Sequence, residues 1–203
     1  AKSKFEWKPW MTVTAVVLVL ALIFISIFVG TYNSLVRQDV AIDGAWADVE
    51  TQYQRRADLI PNLVATVQGA ADFESETQTA IADLRTAAIQ ARDQLQSAQT
   101  REEEIAAAQQ VDQVASQFRG LNINVENYPQ LRATENFLSL QDQLEGTENR
   151  ISVARMRYNE RVTAFNTRIR TFPSNIIAGM FGFEQEEFFE ADAGSEQAPE
   201  VVF

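Results

Sequence analysis

Residues 42–67 read IDGAWADVETQYQRRADLIPNLVATV. Within them Ile42, Trp46, Val49, Tyr53, Ile60, Leu63 and Val67 follow alternating steps of four and three. That spacing lines one side of an α-helix, as expected of a helix packed lengthwise against others. Arg56 falls on a seam position against the pattern. Pro61 lies inside the stripe, which continues in phase beyond it, so the spacing predicts a kink there rather than an end. The helix is expected to run to about Ala71.

Glu74 to Gly120 contains neither proline nor glycine before its end. Ile81, Leu84, Ala88, Ala91 and Leu95 form a first stripe in it, and Ile105, Ala108, Val111, Ala115 and Phe118 a second. Thr100 and Glu103 have the spacing of a capping box and would start a new helix, with a break near Ser97–Thr100. The segment is therefore one long helix or two. Gly120 and the stretch LNINVENYP form a turn, and a last helix is expected from about Pro129 to Thr171, where Pro173 stops it. Its apolar positions include Phe137, Leu140, Leu144, Ile151, Ala154, Tyr158, Val162, Phe165 and Ile169. At the ordinary helical rise it would be about 64 Å long, a rod rather than a ball.

On the N-terminal side, residues 10–29 read WMTVTAVVLVLALIFISIFV and carry no charge. A helix of that length spans about 30 Å, the thickness of a bilayer's hydrocarbon core. Trp7 and Trp10 on one side and Tyr32 on the other sit where interfacial aromatics belong. A cleaved signal peptide would have a shorter apolar run and a small-residue cleavage site after it. Lys2, Lys4 and Lys8 precede the span, whereas Arg37, Asp39 and Asp43 follow it. The positive-inside rule then puts the N-terminus in the cytoplasm and the bundle outside, a single-pass cell-membrane protein.

The expected fold is all-α: a single N-terminal transmembrane helix, then an elongated antiparallel up-and-down helical bundle. The bundle has three long helices, or four if the chain breaks near residue 98. Residues 1–9 form a short cationic tail, 10–30 the span and 31–190 the bundle. The acidic, unpatterned stretch 191–203 is expected to be disordered.

Composition narrows the function. The chain has no cysteine and no histidine. Disulfides and thiolate metal sites are excluded, and the commonest general base and metal ligand are missing. The formal charge is −11; the first 30 residues hold three lysines and one glutamate, a net +2, which leaves −13 for the rest. Every cation after the span is arginine. Such a domain repels nucleic acid and anionic lipid, and would suit high salt.

Several strings carry a family resemblance. YNSLV at 32–36, AW at 45–46 and RRADLIPNLV at 55–64 are similar to the N-terminal signature of the LemA family. YPQLRATENFLSLQDQLEGTENRISVAR at 128–155, YN at 158–159, FPSNIIA at 172–178 and GFEQEEFF at 182–189 resemble its later part. The resemblance covers roughly residues 32–190. It implies a membrane-anchored helical bundle without an established catalytic activity, encoded often beside zinc-dependent membrane peptidases. It also implies an N-terminus sometimes predicted to be extracellular, against the flanking charges. Family members often carry lysine where this bundle has arginine or glutamine.

Arg55, Arg56 and Asp58 beside Pro61 look most like a site, able to bind an anion or a partner's carboxylate. The plainer alternative pairs them with acids of the last helix, such as Glu145 or Glu148, for which arginine forks are suited. Glu102, Glu103 and Glu104 point about 100° apart and cannot converge on one ion, so they read as a solvated first turn. Glu145 and Glu148 could share a cation, but a solvated pair is commoner. Phe181, Phe183, Phe188 and Phe189 could dock a partner or a membrane surface, or fold back to seal the open end of the bundle. The terminal VVF could be captured by strand addition, although a frayed tail is the plainer reading.

No catalytic residue, metal site or cofactor is expected: nucleophile triads lack histidine and cysteine, and a Ser–Lys dyad lacks a lysine beyond the span. The function expected is a non-enzymatic membrane-anchored scaffold or adaptor, held in the bilayer by residues 10–30. A thin bundle leaves apolar stripe uncovered, which suggests a homo-oligomer. Alternatives are an accessory subunit of a membrane peptidase, implied by the resemblance, and a bundle that senses a ligand between its helices.

Overall fold

The computed structural model describes residues 9–70, 75–120 and 135–189. The cationic tail with Trp7, the turn and helix start around Pro129, and the tail from 191 through VVF lie outside the described residues. Everything described is helix or short connection: α1 Pro9–Ala70, α2 Ser75–Ser97, α3 Arg101–Gly120, α4 Glu135–Arg170 and α5 Ser174–Phe181. The all-α bundle follows from the sequence stripes. The apolar run and the heptad stripe belong to one continuous helix, α1, which passes through Pro61 without ending.

The chain divides into two compact units. One holds Gly44–Asn159 and begins again at Phe188. In it Trp46, Val49, Tyr53, Ile60, Leu63 and Val67 of α1 are buried. So are Ile81, Leu84, Ala88, Ala91 and Leu95 of α2, and Ile105, Ala108, Val111 and Ala115 of α3. Phe118, Leu140 and Leu144 are half-buried instead. Side-chain pairs give the helix directions. Trp46 meets Tyr158 while Arg56, further along α1, meets Glu148, so α1 and α4 are antiparallel. Trp46 pairs with Glu104 and Arg56 with Asp112, so α1 and α3 run the same way.

Between α2 and α3 the chain does break, so the described residues of this unit form four helical segments rather than three. The Thr100 hydroxyl accepts the Glu103 N–H at 3.3 Å, and Glu103 reaches back to accept the Gln99 N–H at 2.8 Å. Neither glycine nor proline is needed: reciprocal side-chain bonds satisfy donors that a helix start leaves open.

The other unit holds residues 9–43 of α1, Glu160–Arg170 of α4, α5 and the chain to Glu187. Leu35, Ile42, Val162, Phe165, Ile169, Ile177 and Ala178 are buried in it. Here α1 is long and apolar enough to cross a membrane, and none of its apolar window is buried. Most of its side chains are exposed, as Phe24 is at 69%. After α4 comes the cis Phe172–Pro173 bond, then α5. Gly182, at φ 73°, ends α5 in the left-handed region open to glycine, and Phe183 N–H donates to Ala178 O at 3.0 Å. Asn166 then holds the backbone of Glu186, accepting its N–H at 3.0 Å and donating to its carbonyl at 2.9 Å.

Replacing Thr100→Ala is expected to lower bundle stability by about 1 kcal/mol, the usual effect of losing a side-chain cap. Thermal unfolding followed by circular dichroism would show a lower midpoint with native helicity unchanged; an unshifted midpoint would mean that packing alone sets this break.

Candidate interaction site around a buried arginine cluster

The seam position that breaks the α1 stripe is filled by a charge, and Arg56 is only 2% exposed. A guanidinium taken out of water must find oxygens, because a buried unpaired charge is strongly destabilising. Arg56 finds them on two helices. Nη1 donates to Asp112 Oδ1 of α3 and Nη2 to Glu148 Oε2 of α4, both at 2.5 Å. Arg56 Nε is buried with no hydrogen-bond partner.

Asp112, itself buried, gathers three donors. Besides Arg56, the Tyr53 hydroxyl donates to Oδ2 at 2.7 Å, and Arg155 Nη2 donates to that oxygen and to the Tyr53 oxygen. Arg119 closes the outer edge, donating to Glu148 Oε2 at 3.1 Å. Burial, with the Asp112 carboxylate alongside, pushes the Tyr53 pKa far above the ordinary phenol value of 10.0. Tyr53 stays a donor.

Aromatic rings wall the cluster. Arg155 lies 4.2 Å from the Phe189 ring centroid and 5.3 Å from that of Tyr53. Phe189 stacks on Tyr53 at 5.7 Å and on Trp46 at 6.0 Å. Asn159 fixes Phe189 by accepting its N–H and donating to its carbonyl, each at 2.9 Å. Trp46 sits edge-on to Tyr158 at 5.2 Å and donates its indole N–H to Glu104, with Arg101 5.5 Å over its ring.

Both oxygens of Asp112 are occupied, which leaves it unsuited to act as a base. Among the described residues no three acidic side chains are grouped to hold a metal ion. What the cluster can do is fix the register of α1, α3 and α4, because each charge is satisfied only in one alignment.

On the outer side of α1 and α4 lies an open groove of about 460 Å³. Ala45 and Ala154 give it room, Asp48, Arg150 and Arg157 line its polar parts, and the Gln52 Oε1 in its wall is buried without a partner. Arg150 and Arg157, both exposed, stand one heptad apart on α4. The groove can therefore offer two cations and one acceptor to a carboxylate-bearing chain.

Of the residues singled out from sequence, Arg56 is in the core pairing with Glu148, while Arg55 and Asp58 are exposed and Pro61 is half-buried. Glu145 is exposed and accepts only a long 3.5 Å bond from Gln141 among the bonds described. The four phenylalanines separate: Phe189 is buried against Tyr53, Phe183 is half-buried, and Phe181 and Phe188 are 50% and 47% exposed. Asp112, Arg155, Arg150 and Arg157 were not singled out. The heptad spacing of the two exposed arginines was a readable signal; Asp112 gave none, being one acid among many on a polar helix.

A family profile matches residues 45–203, which include the whole cluster. The chain belongs to the LemA family. A protein named LemA from Metamycoplasma hominis is 26% identical over 169 residues, covering 83% of this chain and 73% of that protein. The magnetosome proteins MamQ 1 and MamQ 2 of Paramagnetospirillum magneticum are each 24% identical over 186 residues, covering 82% of this chain and 67% of theirs. The strings that carry the LemA resemblance also build the cluster. RRADLIPNLV supplies Arg56, the stretch 128–155 supplies Glu148 and Arg155, and AW, YN and GFEQEEFF supply Trp46, Asn159 and Phe189. Tyr53 and Asp112 come from outside those strings.

Two outcomes follow for stability. Asp112→Ala removes the buried carboxylate that Arg56 and Arg155 share, leaving Arg56 with Glu148, and is expected to cost about 3 kcal/mol in urea unfolding. Arg56→Met, which leaves Asp112 held by Arg155 and Tyr53, should cost clearly less. The raised Tyr53 pKa contributes stability in full below the unfolded value of 10.0, and that contribution is lost as pH climbs above it. Tyr53→Phe should therefore show a shallower alkaline decline in urea midpoint than the parent; parallel profiles would refute this coupling.

Proposed function

We propose that this LemA-family chain is a non-enzymatic scaffold, anchored in the membrane by the apolar part of α1 and presenting its bundle to other proteins. The observation that carries this reading is the use made of its buried charges. The charged groups of the core are turned on one another, as Arg56 is on Asp112 and Glu148. A sequence without histidine or cysteine adds no common nucleophile or base. What remains available for function is surface.

The flanking lysines and the acids that follow the span favour an N-terminus in the cytoplasm and a bundle outside. Relatives named as magnetosome proteins in one bacterium, and simply as LemA in another, are in keeping with a scaffold used in different settings. The α1–α4 groove supports a second, narrower reading, in which the bundle recognises an acidic segment of a partner, a membrane peptidase or a second copy of the chain among the candidates.

Crosslinking in native membranes with a photoreactive residue in place of Val153, which lines the groove, tests both readings. Specific adducts with protein partners are expected, and Arg150→Glu with Arg157→Glu should reduce their yield several-fold. Adducts that survive the charge reversal would dismiss the groove while leaving the scaffold. A chain that forms no reproducible adduct, and turns over a small molecule instead, would sink the scaffold.

A further inference from the structure

The short helix α5 presents apolar side chains that its own unit does not cover. Ile176, Met180 and Phe181 are 54%, 66% and 50% exposed, and Phe172, just before the helix, is 76% exposed. From Thr171 to Phe183 the chain reads TFPSNIIAGMFGF, without a charge. A face of this kind in an acidic protein needs a covering.

Its position says which. The Phe181 ring packs 4.5 Å from Tyr32 and 6.0 Å from Phe28, measured between centroids. Phe28 is the penultimate residue of the uncharged run 10–29, and Tyr32 stands just past it, at the level of interfacial aromatics. The packing of α5 therefore places its uncovered face beside the end of the span. Phe183 holds this arrangement from the inner side, 6.1 Å from Tyr32 and 6.2 Å from Phe165.

The charges around α5 agree. Residues 161–183 hold Arg161, Arg168 and Arg170 and no acid, and residues 10–38 hold Arg37 and no acid. All four arginines are exposed. Acids border both stretches, at Asp39, Glu160 and Glu184, so the arginines stand alone only in the segments that flank the apolar face. Arg168 and Arg170, shortly before an apolar face that lies beside the end of the span, suit lipid headgroups above an acyl boundary.

We propose that α5 is a second membrane-contacting element, lying in the headgroup interface with Phe172, Ile176 and Met180 immersed and Arg168 and Arg170 among the phosphates. The proposal rests on reading residues 10–29 as an anchor, and its test separates the two. The chain has no cysteine, so nitroxide labels can be placed singly at Leu18→Cys, Ile176→Cys and Met180→Cys in the full-length protein. The protein is reconstituted in vesicles of phosphatidylcholine with phosphatidylglycerol. Accessibility to oxygen and to a water-soluble nickel complex is then read by electron paramagnetic resonance, with free label in buffer as reference.

The expected result is a deep label at Leu18 and shallow but lipid-immersed labels at Ile176 and Met180, with nickel accessibility several-fold below the buffer reference. Water-like labels at Ile176 and Met180 beside a deep Leu18 would overturn the proposal and leave the anchor intact. A water-like Leu18 would remove the anchor and the proposal with it. Ile176→Glu with Met180→Glu supplies an independent reading: protection of the Phe172–Phe183 segment from added protease in vesicles should fall several-fold while helicity is retained, and unchanged protection would also overturn the proposal.

Discussion

The bundle unit depends on one buried carboxylate. Asp112 is on a helix of low apolar content, yet it accepts from Arg56, Tyr53 and Arg155, which belong to two other helices. None of these groups can be buried alone without a large desolvation cost. Together they satisfy one another, and sliding α3 or α4 past α1 by a turn would separate them. Apolar stripes of alanine, leucine and valine tolerate such sliding far better, because neighbouring positions are chemically alike. The cluster thus selects one alignment from several that hydrophobic packing would permit.

That use of charge bears on function. Arginine and carboxylate together in a helical core suggest catalysis when read as a composition, but each carries an assigned partner here, and Tyr53 is held protonated. Phe189 covers the cluster and is itself pinned by Asn159, so a residue near the end of the described chain completes the core. The charged groups of this cluster are turned on one another.

The net charge misleads in a similar way at the other unit. A net charge of −13 beyond the span argues against anionic lipid, but the acids are not evenly placed. Residues far apart in sequence, Arg37 near the span and Arg168 and Arg170 at the end of α4, belong to one unit with α5. A short stretch can thus be locally positive although its unit, like the chain, also carries acids such as Asp39 and Glu184.

Sequence by itself determined the helices, their buried faces and the apolar length of the N-terminal segment. These depend on spacing within a single element, and the stripes from Trp46 to Val67 and from Ile81 to Leu95 are buried as their periods require. It also flagged Arg56 as an anomaly and offered Glu145 or Glu148 as partners, of which the structure pairs it with Glu148. Only the tertiary structure chose Asp112 from the many acids, divided the phenylalanines between buried Phe189 and exposed Phe181, and set α5 beside Tyr32. The physical reason is that periodicity fixes which way a side chain faces along its own helix, whereas partner choice depends on the register between helices and on chain folding back after Pro173, which no local pattern encodes.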